Sequence, residues 1–404
     1  MGSWKLRSCV VIRVDPFSHI ALGRTLASLD TRRRLGAGTT TACVLGALCP
    51  DLDLARALQG WDVYLVHHQS GTHSLLGAVG CGVLTGTVVR AFARRGRWLP
   101  LVAAGTIGAL SHVLLDLVAG ADVKIFAPVW NHTFSLPLFA MADPWLLGTL
   151  LIAALLCWRG RPKGLRYGWL GRAEDLRYGW RGRAEGLRYG WLGRAEDLRY
   201  GWRDRVGRSE SAVDAVGVAQ GFSPATRKRA AVGMSLVAVV IFAKAMLYAR
   251  AAAIEHAAST PGTSRHVEAV FGSWTRWTFI EVHPEALEWW DVDVGAGTAA
   301  RAGLVPRGLD APLVRRSRAL PTVANLLASH EDTFARVLSG ANGGDEVRWS
   351  ALRYCRIAGS GSDPVCGLWF GGEYDARGRA TAAVMRVGSL VQRRSPGRVS
   401  PDDQ

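Results

Sequence analysis

The sequence predicts a mainly α fold, a polytopic membrane helical bundle with a metal site, followed by a soluble C-terminal α+β domain. Three observations lead there. Apolar segments rich in Gly, Ala, Leu and Val alternate with short basic runs, as in a membrane protein with short loops. Aspartates and histidines gather between and within those segments, most densely over residues 48–74. After about residue 250 the texture changes to aromatic and β-branched stretches separated by Gly and Asp, the signature of strands. An apolar share of 49% beside 20% charge suits this mixture. The formal charge of +16 would also suit nucleic acid, but basic residues flanking apolar segments explain it through attraction to the cytoplasmic leaflet. The lipid bilayer is therefore the expected partner, and nucleic acid is not.

Taken in order, residues 16–30 form an amphipathic helix with Phe17, Ile20, Leu22 and Leu26, ending before Arg32-Arg33-Arg34. Gly36 to Cys49 is uncharged but shorter than the ~20 residues of a full span, so it is either partly inserted or buried. Ser74–Val89 and Trp98–Leu115 read as an antiparallel transmembrane pair joined by a turn with Arg90, Arg94, Arg95 and Arg97. Pro144–Trp158 is a further apolar run, and Ala230–Ala243 continues past Lys244 towards Tyr248. Arg7, Arg13 and Asp15 interrupt the N-terminal segment, so insertion is expected to rest on the internal segments.

Basic runs at 32–34, 90–97, 159–163 and 227–229 belong in the cytoplasm if positive charge stays inside. Five crossings then place 50–73, 121–143 and everything beyond about residue 250 outside it, in a multi-pass protein of the cell (inner or plasma) membrane. The expected organisation is a membrane-embedded domain over 1–160, a basic cytoplasmic linker over 161–229, a transmembrane helix over 230–250, an extracytoplasmic α+β domain over 251–392 and a disordered tail over 393–404. Within the linker, 164–207 are four copies of an eleven-residue unit, Gly-Leu-Arg-Tyr-Gly-Trp-Leu-Gly-Arg-Ala-Glu in the first. Its glycines argue against a stable helix. Its Trp, Tyr and Arg could stack on bases or sit at a lipid interface, but a tandem duplication tolerated in a loop is the simpler reading.

In the C-terminal part, Trp274–His283, Trp289–Val294, Val347–Ile357, Val365–Phe370 and Thr381–Val387 read as strands. Val323, Leu326, Leu327, Phe334, Val337 and Leu338 make a helical stripe. The seven cysteines show no CxxC spacing, which argues against a thiolate zinc site. Cys355 and Cys366 are placed to form a disulfide if this part faces an oxidising compartment.

The chemistry is expected from carboxylates and imidazoles, which a divalent cation such as zinc or manganese accepts. His112 and Asp116 are four residues apart in an apolar segment, on one face of a helix, where an ionisable pair without a partner is costly. His68 and His73 suit one ligand in a loop and one at the start of the next helix, although Thr72 or Ser74 could cap that helix with His73 merely exposed. Asp51 and Asp53 follow Pro50, in an extended or turning backbone where two carboxylates can converge. His19 either completes a second metal site or simply packs. His132 and Asp143 are candidates to support the ligands from behind, and His67 is a neighbour rather than a ligand.

Pro50-Asp51-Leu52-Asp53, then His68 through Thr72-His73-Ser74, then Ser111-His112-Val113-Leu114-Leu115-Asp116 resemble the YdjM-type family of membrane-bound metal-dependent hydrolases over about residues 15–150. Gln69 stands where that family usually has Arg. More distantly, the order of His19, the Asp51/Asp53 pair, the His68/His73 pair, His112 and Asp116 is similar to that of the ligands in zinc-dependent phospholipases C and P1-type nucleases. The resemblance implies helices around a metal and hydrolysis of a phosphoester or other ester of a membrane-associated substrate. Asp51, Asp53, His68, His73, His112 and Asp116 would bind the metal, and Asp51 or Asp53 would take a proton from water. The alternative is a non-enzymatic membrane protein with a structural metal site and a partner-binding outer domain.

Overall fold

The computed structural model describes residues 15–29, 38–60, 63–64, 68, 71–93, 97–158, 224–259, 264–339, 344–356 and 364–396. The repeats at 164–207, the basic runs 32–34 and 159–163, His67 and Gln69 lie outside the described residues. Among the described residues the helices of the N-terminal architecture are α1 (Pro16–Ser28), α2 (Thr39–Leu48), α3 (Leu75–Ala93), α4 (Trp98–Val118), α5 (Pro144–Trp158) and α6 (Pro224–Ala258). Three stretches within them, Leu75–Phe92, Trp98–Val118 and Ala225–Ala258, are long and apolar enough to cross a membrane. The expected transmembrane helix over 230–250 is thus the middle of a longer one. With ten residues, α2 spans only about 15 Å, half of a ~30 Å hydrocarbon core. Valines and other large apolar side chains stay exposed along the outer faces, among them Val79, Val83, Val88, Val239, Phe242 and Met246. Water would penalise such a surface and lipid would not.

Small residues set the helix contacts. A Cβ at Gly46 of α2 would overlap the backbone carbonyl of Gly105 in α4, and one at Gly108 would overlap the carbonyl of Cys43. These two helices therefore touch along their backbones, and they run in the same direction, since Gly38 meets Leu101 at one end and Ala47 meets His112 at the other. On the other side of α2, Gly23 of α1 meets Ala47 and Cys43, while Ala27 clusters with Ala42, an antiparallel contact. Along α3 and α4, Gly82 faces Thr106 and Gly86 faces Val102, also antiparallel. Gly233 of α6 rests against Ala153 of α5, and Leu146 and Leu150 join Val237 in the same apolar cluster.

Between α2 and α3 the chain forms a 3-10 helix, Pro50–Leu58, where the sequence reading expected an extended or turning stretch. Proline at its first position has no N–H to lose there, and Asp51 and Asp53 in its first turn approach opposite nitrogens of His73.

The C-terminal part is sheet-rich and antiparallel. The first sheet has the order β1 (Ser264–Ala269), β2 (Arg276–Val282), β3 (Ala286–Asp293), β4 (Thr298–Pro306). After α7 (Pro312–Ser317) and α8 (Pro321–Ser329), a second sheet is built from β5 (Thr333–Ser339), β6 (Asp345–Ala351), β9 (Leu368–Tyr374), β10 (Ala380–Val387) and β11 (Leu390–Arg394), in the order β11-β10-β9-β6-β5. Between β6 and β9, β7 (Cys355–Arg356) and β8 (Val365–Cys366) pair through a Cys355–Cys366 disulfide. One face of the first sheet packs Trp277, Phe279 and Val292 against Ala251 of α6. Its other face joins the second sheet through Ile280, Leu287, Trp289, Phe334 and Leu352. The second sheet then packs Trp349 and Phe370 under Val314, Val323 and Leu326 of the short helices.

Three expectations change here. The stripe from Val323 to Leu338 is not one helix: α8 stops at Ser329, and Phe334, Val337 and Leu338 lie on β5. The break is made by Asp332, which is buried and accepts both the backbone N–H of Arg353 at 3.0 Å and its Nε at 3.0 Å. The strand over Val347–Ile357 ends at Ala351, where a 3-10 turn intervenes. Arg393 and Arg394, expected in the tail, finish β11; β1, β4 and β11 went unread because their alternation is weak, with polar and charged residues on both faces.

Candidate metal centre

Five elements deliver the site. Asp15 caps α1 by accepting the Ser18 N–H at 3.2 Å, which sets His19 in the first turn. The end of α2 supplies the Ala47 carbonyl, and the 3-10 helix follows with Asp51 and Asp53. Ser74 caps α3, its Oγ accepting from Gly77 N at 3.0 Å and donating to Gly71 O at 2.8 Å. His73 immediately before it is thereby turned inward and completely buried, not exposed. From α4 come His112 and Asp116, both buried.

The hydrogen bonds determine where the imidazole protons sit. His112 Nδ1 lies 2.8 Å from the Ala47 carbonyl oxygen; a carbonyl only accepts, so Nδ1 carries the proton. Thr72 donates its single hydroxyl proton to Asp53 Oδ2 at 3.1 Å, so its oxygen accepts from His73 Nδ1 at 3.1 Å. His68 Nδ1 faces both oxygens of Asp53 at 3.0 and 3.1 Å and donates to them. In neutral form, all three rings therefore present a bare Nε2. Those of His112 and His73 face each other at 3.1 Å, with Asp116 Oδ2 3.2 and 3.3 Å away. Asp51 Oδ1 stands 3.5 Å from His112 Nε2 and 3.8 Å from His73 Nε2. His19 stacks on His112 with ring centroids 3.8 Å apart and sets Nε2 3.5 Å from Asp116 Oδ1.

Lone pairs aimed at one another without a proton between them repel unless a cation lies among them. Three overlapping groups offer donor atoms within 4.8 Å of one another: His19, Asp51 and His112; Asp51, His68 and His73; and His73, His112 and Asp116. The fit to a divalent ion is good in kind as well. Imidazole and carboxylate are the ligands of a borderline cation, and a ligating His that donates its other N–H to a carbonyl or carboxylate is the usual arrangement. Burial pushes the Asp51 carboxyl above the ordinary aspartate value, with the neighbouring His112 opposing it.

Six of the seven expected ligands belong to those groups, and Asp53 does not. Its carboxylate is engaged by His68 and Thr72, so it orients rings. His132 and Asp143, expected behind the ligands, are elsewhere. His132 is exposed and stacks on Trp130 with centroids 5.1 Å apart. Asp143 caps α5 through Trp145 N at 2.9 Å, as an Asp directly before the Pro144 that opens a helix commonly does. Sequence reasoning missed Thr72 as the hydrogen-bonded bridge between Asp53 and His73, and Tyr64, which is buried and stacks on His68 with centroids 4.5 Å apart.

Among the described residues, two short apolar helices, two long ones and this cluster of donors share one region of the chain. Residues 14–173 match the family model of the YdjM inner membrane protein. The matched span includes the donor residues from His19 to Asp116 and ends before the sheet-rich domain. No curated protein and no solved structure matches the chain.

Proposed function

We propose that the YdjM-like region is a metal-dependent hydrolase that acts on a phosphoester or other ester of a membrane-associated substrate. The observation that carries this reading is the pair of unprotonated Nε2 atoms of His73 and His112, 3.1 Å apart and flanked by Asp116. A divalent ion held there, zinc or manganese by its donors, would lower the pKa of water and polarise the ester. Asp51 is the residue we assign to proton transfer: its side chain is 16% exposed, more than any of the cluster partners it is paired with, so it stands where solvent reaches the site. Asp53 positions His68 and, through Thr72, His73. Leu52 and Leu58, both exposed on the same 3-10 helix, offer an apolar rim that suits a lipid-borne substrate.

The test is hydrolysis of a panel of phospho- and carboxyl esters by the full chain in detergent, supplied with zinc or manganese. His112→Ala should abolish turnover and lower the bound metal, while the exposed His132→Ala should leave both unchanged. Activity on no ester, or activity that His112→Ala leaves intact, would overturn the reading.

A further inference from the structure

Where the end of α6 meets the first sheet, three side chains converge that the reading above does not use. Glu281 and Glu288 are directly opposed across β2 and β3, and His283 follows Glu281 by two residues. All three share the sheet face on which Phe279 and Trp277 pack against α6. Like charges directly opposed across two strands destabilise the pair, and Glu281 is completely buried.

Both carboxylates are divided in the same way. Glu281 turns Oε1 towards Arg265 Nε at 3.9 Å and Oε2 towards His283 Nε2 at 3.6 Å. Glu288 gives Oε1 to Arg301 and sets Oε2 3.5 Å from the same His283 Nε2. The 3.5 and 3.6 Å separations are too long for a good hydrogen bond. Nε2 of His283 is buried without any hydrogen-bond partner, and both buried oxygens of Glu281 lack an N–H donor, with only the buried carboxyl of Glu255 in hydrogen-bonding contact. Leaving such groups unbonded is costly. Two carboxylate oxygens and one ring nitrogen, within 4.8 Å of one another, have the spacing of donors arranged around an ion. Arg265, which also holds Glu255 at 3.0 Å, and Arg301 take the outward oxygens, the part that outer partners play in orienting metal ligands.

We propose that Glu281, His283 and Glu288 form a second divalent-cation site, in the sheet-rich domain and separate from the His73/His112 cluster. Two carboxylates and one imidazole suit manganese or zinc and do not suit a soft monovalent metal. The site ties β2 to β3 beneath the end of the long helix. Three protein donors also leave a coordination position for water or a further ligand.

The experiment is metal stoichiometry by mass spectrometry on the full chain equilibrated with manganese, comparing the wild type with His283→Gln and Glu288→Gln. Each variant is expected to lose one ion per chain and to keep the metal that His112→Ala removes. Variants that hold as much metal as the wild type would overturn the proposal. Near-ultraviolet circular dichroism of the domain's tryptophans checks that the variants fold. Should they not, wild-type crystals soaked in manganese decide: an anomalous peak between the three side chains supports the site. A map without one, which a protonated His283 bridging both carboxylates would give, overturns it.

Discussion

The proton assignment in the metal centre rests on one hydroxyl, and Thr72→Val removes it while keeping the shape of the side chain. In the wild type that hydroxyl donates to Asp53 Oδ2 at 3.1 Å and accepts from His73 Nδ1 at 3.1 Å. Without it, His73 Nδ1 has only Asp53 Oδ2, 3.7 Å away, and its ring is free to rotate or to place the proton on Nε2, where it would block the ligand position. Losing an outer partner of a metal-binding histidine typically weakens the metal about 10–100-fold. The carboxylate still within reach puts Thr72→Val near the lower end, roughly tenfold or ~1.4 kcal/mol. Thr72→Ser keeps the hydroxyl and should restore wild-type affinity. The assay is zinc competition against a chromophoric chelator, with His112→Ala as the floor. If Thr72→Val binds zinc as the wild type does, or if Thr72→Ser falls as far as Thr72→Val, the assignment is refuted.

Three further outcomes are expected. Gly108→Ala should force α2 and α4 apart at the Cys43 carbonyl, stretch the 2.8 Å bond from His112 to Ala47 and destabilise by about 1–3 kcal/mol, read as a lower melting temperature together with weaker zinc binding. Ser74→Ala removes the cap of α3 and should cost about 1 kcal/mol in the same melt. Arg353→Gln leaves Asp332 buried without its cation, which typically costs about 3–5 kcal/mol. Burial raises the Asp332 carboxyl, but the Arg353 guanidinium outweighs it and holds the group well below the usual carboxylate range. The stabilisation is therefore complete above the unfolded value of about 3.9 and fades as pH falls below it. Melting between pH 7 and pH 3 should show a wild-type acid loss that Arg353→Gln lacks.

Much of the candidate metal centre is legible in the chain because its residues are out of place there. His112 and Asp116 stand in apolar sequence, and His19, Asp51, His68 and His73 occupy the polar intervals beside it; the folded chain brings all six together. What spacing cannot give is which atom faces which. Asp53 looks equivalent to Asp51 until Thr72 and His68 are seen to engage it. His132 and Asp143 have the residue types of ligand supports, whereas the Asp143-Pro144 pair is itself a helix-start signal. The misread stripe over 323–338 has the same origin. Apolar residues from α8 and β5 fall into a helical period by coincidence, and only the demand of Asp332 for Arg353, 21 residues away, separates them.

The packing also constrains which surfaces share a side of the membrane. His19 opens α1, Ala47 closes α2, His73 precedes α3 and Asp116 lies near the end of α4, so one end of the bundle carries every donor. The sheet-rich domain rests on that same end: Arg353 pairs with Asp122, Trp277 Nε1 donates to Pro137 O at 2.9 Å, and Trp145 Nε1 donates to Gly272 O at 3.0 Å. Arg90, near the end of α3, and Arg97, which precedes α4, mark the opposite end, and the residues 32–34 and 159–163 that flank the other helices are also basic. Positive charge is retained on the cytoplasmic side, and a disulfide such as Cys355–Cys366 persists in an oxidising compartment. Both considerations lead us to propose that the metal centre and the sheet-rich domain face away from the cytoplasm. Cysteines introduced one at a time test this in intact cells with a membrane-impermeant maleimide. Trp130→Cys, at an exposed position in the segment between α4 and α5, should be labelled and Gly96→Cys should be protected until the cells are opened. Labelling in the reverse pattern would turn the whole bundle over, and the centre with it, because the contacts between the domain and the donor end do not allow the two to lie on different sides.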